Sequence, residues 1–599
     1  MRNKKKHIKN FLSRFIIAPY HWYCVLKEIP GTFRKVSSRK PTNKEFTQRY
    51  NNWLKRHSRL SVPSQKVIKN KKWLPSFNIT ILLSEVTLPF LNKTIEHIDA
   101  IDYPNKELFI ALIASNLQTV EKLKKACQSL SPTPIKFTSS LANNEPDAYN
   151  EAIKLGNADY SFCVKSGDLI EPQTLTKVAL KIIENPALDI VYFDEGRVNS
   201  KGTKHNPHFK PKWSPDLLLS HNYIGKGVIF RVTLFNLLNK FDSSYSCSYL
   251  YDIILKLTEN TKHITNVSEV LYHEKSCTGN KNKIKEELLA VQNALQRRNE
   301  LAKVIVNDKR KGIYHVRYEL KERSKISIII PSRDQAKILD VCLKSIYDHT
   351  SYDNYEIIII DNGSTELSFF NIVEKWQASF KIEVKLLRLD IPFNFSRLNN
   401  LAAKEATGEY LLFLNNDIEI LTPDWLRGLL EQSQRPSIGA VGAKLLFPNN
   451  EIQHAGILLG VDGISSHPFA KKTVEQSHYY VNSMVNYTAL TGACLMIKKT
   501  SFDEVKGFDE KFVIEFNDFD LCLKLVRAGY NNVYLPHVVL YHYESYSRGK
   551  KHKNIQGFMR YRNERSRFLK LWGKYIKNDP SYNPNLHKDS DQIFEPNLD

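Results

Sequence analysis

Nowhere in its 599 residues does the chain hold an apolar run of 18, so it lacks a segment able to cross a bilayer as a helix. It also lacks the small-residue cleavage site that closes a signal peptide. Its eight cysteines (Cys24, Cys127, Cys163, Cys247, Cys277, Cys342, Cys494 and Cys522) form no CxxC pair. That argues against a zinc module and a disulfide framework, and points to a reducing compartment with thiols serving as small core residues. Acid is scarce in one place: residues 1–72 hold 20 lysines and arginines against only Glu28 and Glu45. This arm carries +18 of the net +23, so the body is left near +5, ordinary for its size. A nucleic-acid-binding protein would spread base over the body and bring a recognisable module; the sequence shows neither, so no nucleic-acid partner is expected.

Within the arm, MRNKKKHIKN precedes FLSRFIIAPYHWYCVL, where Phe11, Leu12, Phe15 and Ile16 recur at helical spacing until Pro19. Such a segment can lie on an anionic membrane surface. A solvated basic tail without a partner is the equal alternative.

What the chain does have, it has twice. FNITILLSEVTLPFLNKTIEHIDAIDYPNKELFIALIASN and SKISIIIPSRDQAKILDVCLKSIYDHTSYDNYEIIIIDNGS share one order: apolar run, loop, amphipathic helix, turn, second apolar run. That is a βαβ unit with parallel strands and a right-handed crossover. GNADYSFCVKSGDLIEP is answered by TGEYLLFLNNDIEILTP, and LYHEKS (271–276) by LYHYES (540–545). The expectation is a duplicated α/β domain: a basic arm at 1–75, copies at 76–320 and 321–570 joined by a helical linker, and a polar tail at 571–599.

In a parallel α/β sheet, ligands bind beyond the carboxyl ends of the strands. Three such ends in the second copy are polar: Pro331-Ser332, Asp361-Asn362-Gly363 and Asn415-Asn416-Asp417. A metal–diphosphate there needs one carboxylate plus phosphate oxygens and waters, and Asp417 can supply the carboxylate. Downstream, Asp518 and Asp520 open a helix. The helix dipole explains acids there; a general base over the mouth is the functional reading. Thr491-Gly492-Ala493 reads as a tight loop that allows close approach of a substrate. On residues alone, His542 is a core histidine or a second metal ligand.

These stretches, with FNFSRLNNLAAKEATGEYLLFLNND and LTGACLMIKKTSFDEVKGFDEKFVIEFNDFDLCLKLVRAGY, resemble the family 2 glycosyltransferases of GT-A-type fold, in the branch that builds bacterial O-antigen and rhamnan. HFKPKWSPDLLLSHNY in the first copy resembles that branch's other module. The resemblance implies two tandem GT-A-type domains, Rossmann-like with a mostly parallel mixed sheet. It implies a nucleoside-diphosphate sugar held by Pro331, Ser332, Asp361, Asn415 and Asn416, and a Mn²⁺ or Mg²⁺ at Asp417 and His542. It implies Asp518 as base, with Gly492 and Asp520 on the acceptor side. The reaction implied is inverting transfer of a hexose, rhamnose among them, from a dTDP or UDP donor to a lipid-linked or growing glycan, O-antigen or capsule. The place implied is the cytoplasm, peripheral on the inner face of the bacterial membrane.

The first copy departs from this pattern. It has Ala114-Ser115-Asn116 for the Asp361 triplet, Lys165-Ser166-Gly167 with Asp168 following for the metal triplet, and Leu250 for the base, though Asp252 matches Asp520. It is expected to be an inactive scaffold or glycan-binding domain. From a different class, the whole chain would be a non-catalytic glycan-assembly scaffold at the membrane.

Overall fold

Two large mixed sheets follow one another along the chain. The first contains β1 (Phe77–Leu83), β2 (Lys106–Leu112), β3 (Ile135–Phe137), β4 (Tyr160–Lys165), β5 (Leu169–Ile170), β6 (Ile190–Val198), β7 (Val228–Arg231) and β8 (Ile264–Lys275). The second contains β9 (Ile326–Ser332), β10 (Tyr355–Asp361), β11 (Val384–Arg388), β12 (Tyr410–Leu414), β13 (Ile418–Ile420), β14 (Ile438–Leu446), β15 (Cys494–Lys498) and β16 (Asn531–His542). The spatial orders are 3-2-1-4-7-6-8-5 and 11-10-9-12-15-14-16-13, the same order shifted by eight. This computed structural model describes residues 42–60, 68, 71–114, 116–127, 130–138, 144–276, 282–307, 310–475, 477–543 and 555–598. The amphipathic segment expected at residues 11–16 therefore lies outside the described residues, as does Ser115.

The order follows from the strands' composition. YLLFL in β12 is buried at every position and sits mid-sheet, parallel to β9 on one side and antiparallel to β15 on the other. A strand apolar on both faces is stable only there. The acid-rich exits fall at the same end because β9, β10 and β12 run parallel, with Ser332 in register with Asp361.

Six helices matter below: α1 (Tyr249–Glu259), α2 (Ala336–His349), α3 (Phe395–Glu405), α4 (Trp425–Ser433), α5 (Asn517–Arg527) and α6 (Ile555–Lys577). In α2, Leu339, Cys342, Leu343 and Ile346 recur at helical spacing and are buried. Asn394 caps α3 by accepting from the Arg397 N–H at 3.0 Å. The expected helical linker is present as Lys283–Arg297.

The chain divides into two compact units, Met1–Tyr50 and Asn51–Asp599. In the first, a Thr42/Glu45 capping box opens the helix Asn43–Leu60, with the Thr42 N–H donating to Glu45 at 2.7 Å and the Glu45 N–H to Thr42 at 3.3 Å. The second unit begins earlier than the expected boundary at 75. Trp53 is buried against Phe209, and Arg56 donates to the Leu598 carbonyl. The polar tail also differs from expectation. α6 runs past residue 570, and Asp579, Ser581 and Asn583 are buried. The Asn583 amide donates to both oxygens of Asp194 in β6, and Asp579 accepts from Leu459 and Thr488.

Within this unit the two sheets are pinned to each other by the WSPD stretch. Asn486 donates to Asp216 at 2.7 Å and accepts from Ser214 and from the Asp216 N–H. Arg435, in the turn after α4, completes the lock with a 2.5 Å ion pair to Asp216.

Candidate active site

Asp417 is 5% exposed at the exit of β12. His542, the last residue of β16, lies opposite Ile418 in the ladder, and its Nε2 stands 3.1 Å from Asp417 Oδ1. The ring's tautomer follows from Gln453. The amide nitrogen of Gln453 donates to the His542 carbonyl at 3.1 Å, which turns Gln453 Oε1 toward Nδ1 at 2.5 Å. Nδ1 must carry the proton, so a neutral ring presents its Nε2 lone pair to Asp417. Asn415 lies 3.3 Å from the same nitrogen. Asp417 Oδ1 is buried with no hydrogen-bond partner among the described residues. Two electron-rich atoms meeting in a dry site fit a divalent cation between them. The described residues contain no cluster of three or more His, Cys, Asp or Glu.

The neighbouring exits form the other wall. The Asn416 amide donates to Ser332 at 3.0 Å, tying β12 to β9. Asp361 is fully buried; its Oδ1 accepts from the Ser364 N–H at 2.7 Å, while Oδ2 lies 3.4 Å from the Arg388 guanidinium. Gly363 has φ +75°, and a Cβ there would meet Asp390 at 2.7 Å, so the turn requires glycine. Asp361 Oδ2 and Asn362 Oδ1 lack hydrogen-bond partners among the described residues. They offer acceptors to the N–H and O–H groups of a base or ribose. Pro331 sits partly exposed at the end of β9.

Asp518 opens α5. Its Oδ2 accepts from the Gly492 N–H at 2.8 Å and its Oδ1 from the Phe519 N–H at 2.9 Å. Burial pushes its carboxyl up to about 6, against the pull of those two bonds. A base near that value is ionised at neutral pH and accepts a proton readily. The loop links both carboxyl groups: the Asn415 N–H donates to the Ala493 carbonyl at 3.0 Å, one residue from Gly492. Phe516 precedes α5 at φ +64°, a strained state for an aromatic residue. Phe568 of α6 stacks on it at 4.8 Å and 13°, and Glu564 of α6 accepts from the Glu515 N–H at 2.7 Å.

Residues 327–505 match the family model for glycosyl transferase family 2. The chain contains a family 2 glycosyl transferase domain. Uncharacterized protein y4gI of Sinorhizobium fredii is 31% identical over 89% of this chain and 60% of its own length. O-antigen biosynthesis protein RfbC of Myxococcus xanthus is 29% identical over 87% of this chain and 41% of its own. The O-antigen chain rhamnosyltransferase RfbN of Salmonella typhimurium is 23% identical over 37% of this chain and 68% of its own. The chain thus spans about 60% and 40% of the first two relatives. Superposition on solved structures is loose: 14% identity and a TM-score of 0.35 for GalNAc-T7, over 47% of this chain and 55% of that one.

Asp520, expected on the acceptor side, is held by partners from two helices. Asp520 is 1% exposed, accepts from the Trp572 indole N–H at 2.9 Å and lies 3.3 Å from the Lys524 ammonium. Asp252 in α1 makes the same i,i+4 pair with Lys256 at 2.5 Å, in the sheet where Leu250 replaces the base. The acid–lysine pair thus recurs in both helices whether Asp518 or Leu250 stands two residues before it, as a packing contact would. Gly492 stands beside Asp518: a Cβ there would lie 3.3 Å from Asp518 Cβ.

The first sheet also departs from its sequence alignment. His273 lies opposite Leu169, as His542 lies opposite Ile418, so Asp168 rather than Gly167 stands where Asp417 does. One extra residue at the exit of β4 causes the offset, and Lys165 turns away to Glu145. Asp168 is nevertheless occupied: it accepts from the Tyr272 hydroxyl and, at 2.7 Å, from the Lys275 N–H, with the Lys226 ammonium 3.8 Å away. That ammonium repels an added cation.

Proposed function

We propose that the second sheet transfers a sugar from a nucleoside-diphosphate donor to a growing surface glycan, with inversion, and that the first sheet is a non-catalytic partner. The observation that carries this reading is the buried Asp417–His542 pair with its ring set by Gln453, joined through Thr491-Gly492-Ala493 to a base raised toward neutrality. RfbC and RfbN bear names from O-antigen synthesis, which supports a glycan acceptor and a rhamnose or other hexose donor, dTDP- or UDP-linked.

Asp417 and His542 would hold Mn²⁺ or Mg²⁺, which, when bound, neutralises charge on the departing diphosphate. Ser332, Asn415 and Asn416 supply neutral hydrogen-bonding groups that add no negative charge beside it. Asp361, 3.4 Å from the Arg388 guanidinium, takes donors from the nucleoside. Asp518 removes the proton from the acceptor hydroxyl as that oxygen attacks the anomeric carbon. Its two N–H donors fix the carboxylate on a rigid helix end and keep it from swinging toward the diphosphate. The basic arm supports an anionic membrane surface and the cytoplasmic side as its place.

A panel of dTDP- and UDP-sugars tests the reading. One donor should raise the thermal midpoint with Mn²⁺ and lose that effect with a chelator or in Asp417→Ala, while Asp168→Ala leaves it unchanged. Transfer surviving in Asp417→Ala overturns the metal assignment.

A further inference from the structure

One face of α6 is unlike the surface around it. Its inner face buries Glu564, Phe568 and Trp572, one turn apart, against the base helix α5. Its outer face begins with three exposed apolar side chains, Ile555 (83%), Phe558 (49%) and Met559 (45%). It continues with exposed Arg562, Lys570, Lys574 and Lys577. Residues 555–577 hold seven lysines and arginines and one acid, Glu564, which is on the buried side. At 23 residues the helix is ~34 Å long. It is too polar to span a membrane, and no helix among the described residues is long and apolar enough to do so.

We propose that the outer face of α6 docks on an anionic lipid surface, with Ile555, Phe558 and Met559 inserted among the acyl chains and the basic stripe over the headgroups. The charge order decides for lipid. A helix seated in a protein groove carries apolar anchors at i, i+3, i+4 and i+7 and onward along its length, whereas here Ile555, Phe558 and Met559 fill the first three places and Arg562 stands at the fourth, with base following on that face. A nucleic acid makes no use of three exposed apolar side chains at the tip. An interfacial helix uses both, gaining about fivefold in partition for each basic side chain near an anionic surface. The proposal goes beyond sugar transfer and does not depend on it. It also gives the position of α6 a meaning, because Phe568 and Trp572 couple the docked helix directly to Phe516, just before the base helix, and to Asp520 within it. Docking would hold the mouth at the bilayer, where an acceptor carried on a lipid resides.

The test is cosedimentation of the full chain with vesicles of 30% phosphatidylglycerol in phosphatidylcholine. The arm is weakened by K4Q, K5Q, K6Q and K9Q so that it does not mask the helix. Phe558→Glu with Met559→Glu should cut the bound fraction at least tenfold, as should K570E with K574E and K577E. Pure phosphatidylcholine should bind at least tenfold less. Met559→Trp in the full chain should be quenched by brominated lipid beyond the parent protein, a readout that holds even where the glutamate variants fold poorly. Unchanged partition of a folded glutamate variant, or fluorescence of the Met559→Trp protein blind to brominated lipid, overturns the proposal, as does loss of exposure of these side chains through self-association in solution.

Discussion

Replacing Asp518 by Asn should stabilise the protein while abolishing transfer, and the two effects share one cause. Burial lifts this carboxyl from 3.8 to about 6. At 1.36 kcal/mol per unit, ionising it costs the folded state ~3 kcal/mol relative to the unfolded chain. The folded form binds the proton more tightly, so the cost is absent below the ordinary carboxylate range and complete above about 6; stability falls as pH rises across that window. Asparagine cannot ionise and escapes the cost. It retains an acceptor for only one of the two N–H groups, of Gly492 and Phe519, and turning an NH₂ toward the other costs about 1–2 kcal/mol. The variant should therefore be ~1–2 kcal/mol more stable than the parent at pH 8 and less stable by a similar amount near pH 3. Thermal midpoints of both proteins across that range would show the difference change sign. Transfer should drop by about 10²–10⁴ with donor affinity retained, and the parent's rate should fall as pH drops through 6. A midpoint difference flat with pH, or a variant that still transfers, would refute the assignment of the base.

Gln453→Leu should free the His542 ring and lower Mn²⁺ affinity 10–100-fold, read from the size of the Mn²⁺-induced rise in thermal midpoint above a metal-free midpoint that is itself lowered by the two lost hydrogen bonds. Asp520→Ala should cost ~3 kcal/mol of stability by leaving the Trp572 indole N–H without its acceptor and the buried Lys524 ammonium with only the Gly507 carbonyl, without altering donor affinity by titration. Gly492→Ala should push the Asp518 carboxylate by a few tenths of an ångström, so that kcat falls roughly tenfold while donor binding is retained.

The strand-end acids were legible because their setting is local. An all-apolar strand such as YLLFL announces its place in the sheet, and whatever follows it must lie at the mouth. The order of elements in both sheets could be read for the same reason. Gln453 was not legible: it reaches the site on a short strand, Ile452–His454, that returns against β14, and nothing in EIQHAG marks it as the partner of a residue 89 positions away. Arg388 meets Asp361 only through the ladder between β10 and β11. Asp518 and Asp520 look alike on paper; two residues along a helix is about 200°, so they face apart, and only the arrival of Trp572 from α6 tells which one faces that helix. The tail was read as polar because it is polar. Its asparagine and aspartate meet partners such as Asp194, 389 positions distant, that no window along the chain can reveal.

The Asp216 lock carries a consequence for how this protein can be taken apart. Arg435 belongs to the later sheet, yet the acid that neutralises it comes from the earlier one, and so does the carboxylate that receives Asn583 from the extreme end of the chain. A fragment starting near residue 320 would keep every side chain of the mouth but strand a guanidinium and two amides on a surface built to be covered. The earlier sheet thus supplies polar partners that its neighbour's surface does not provide for itself.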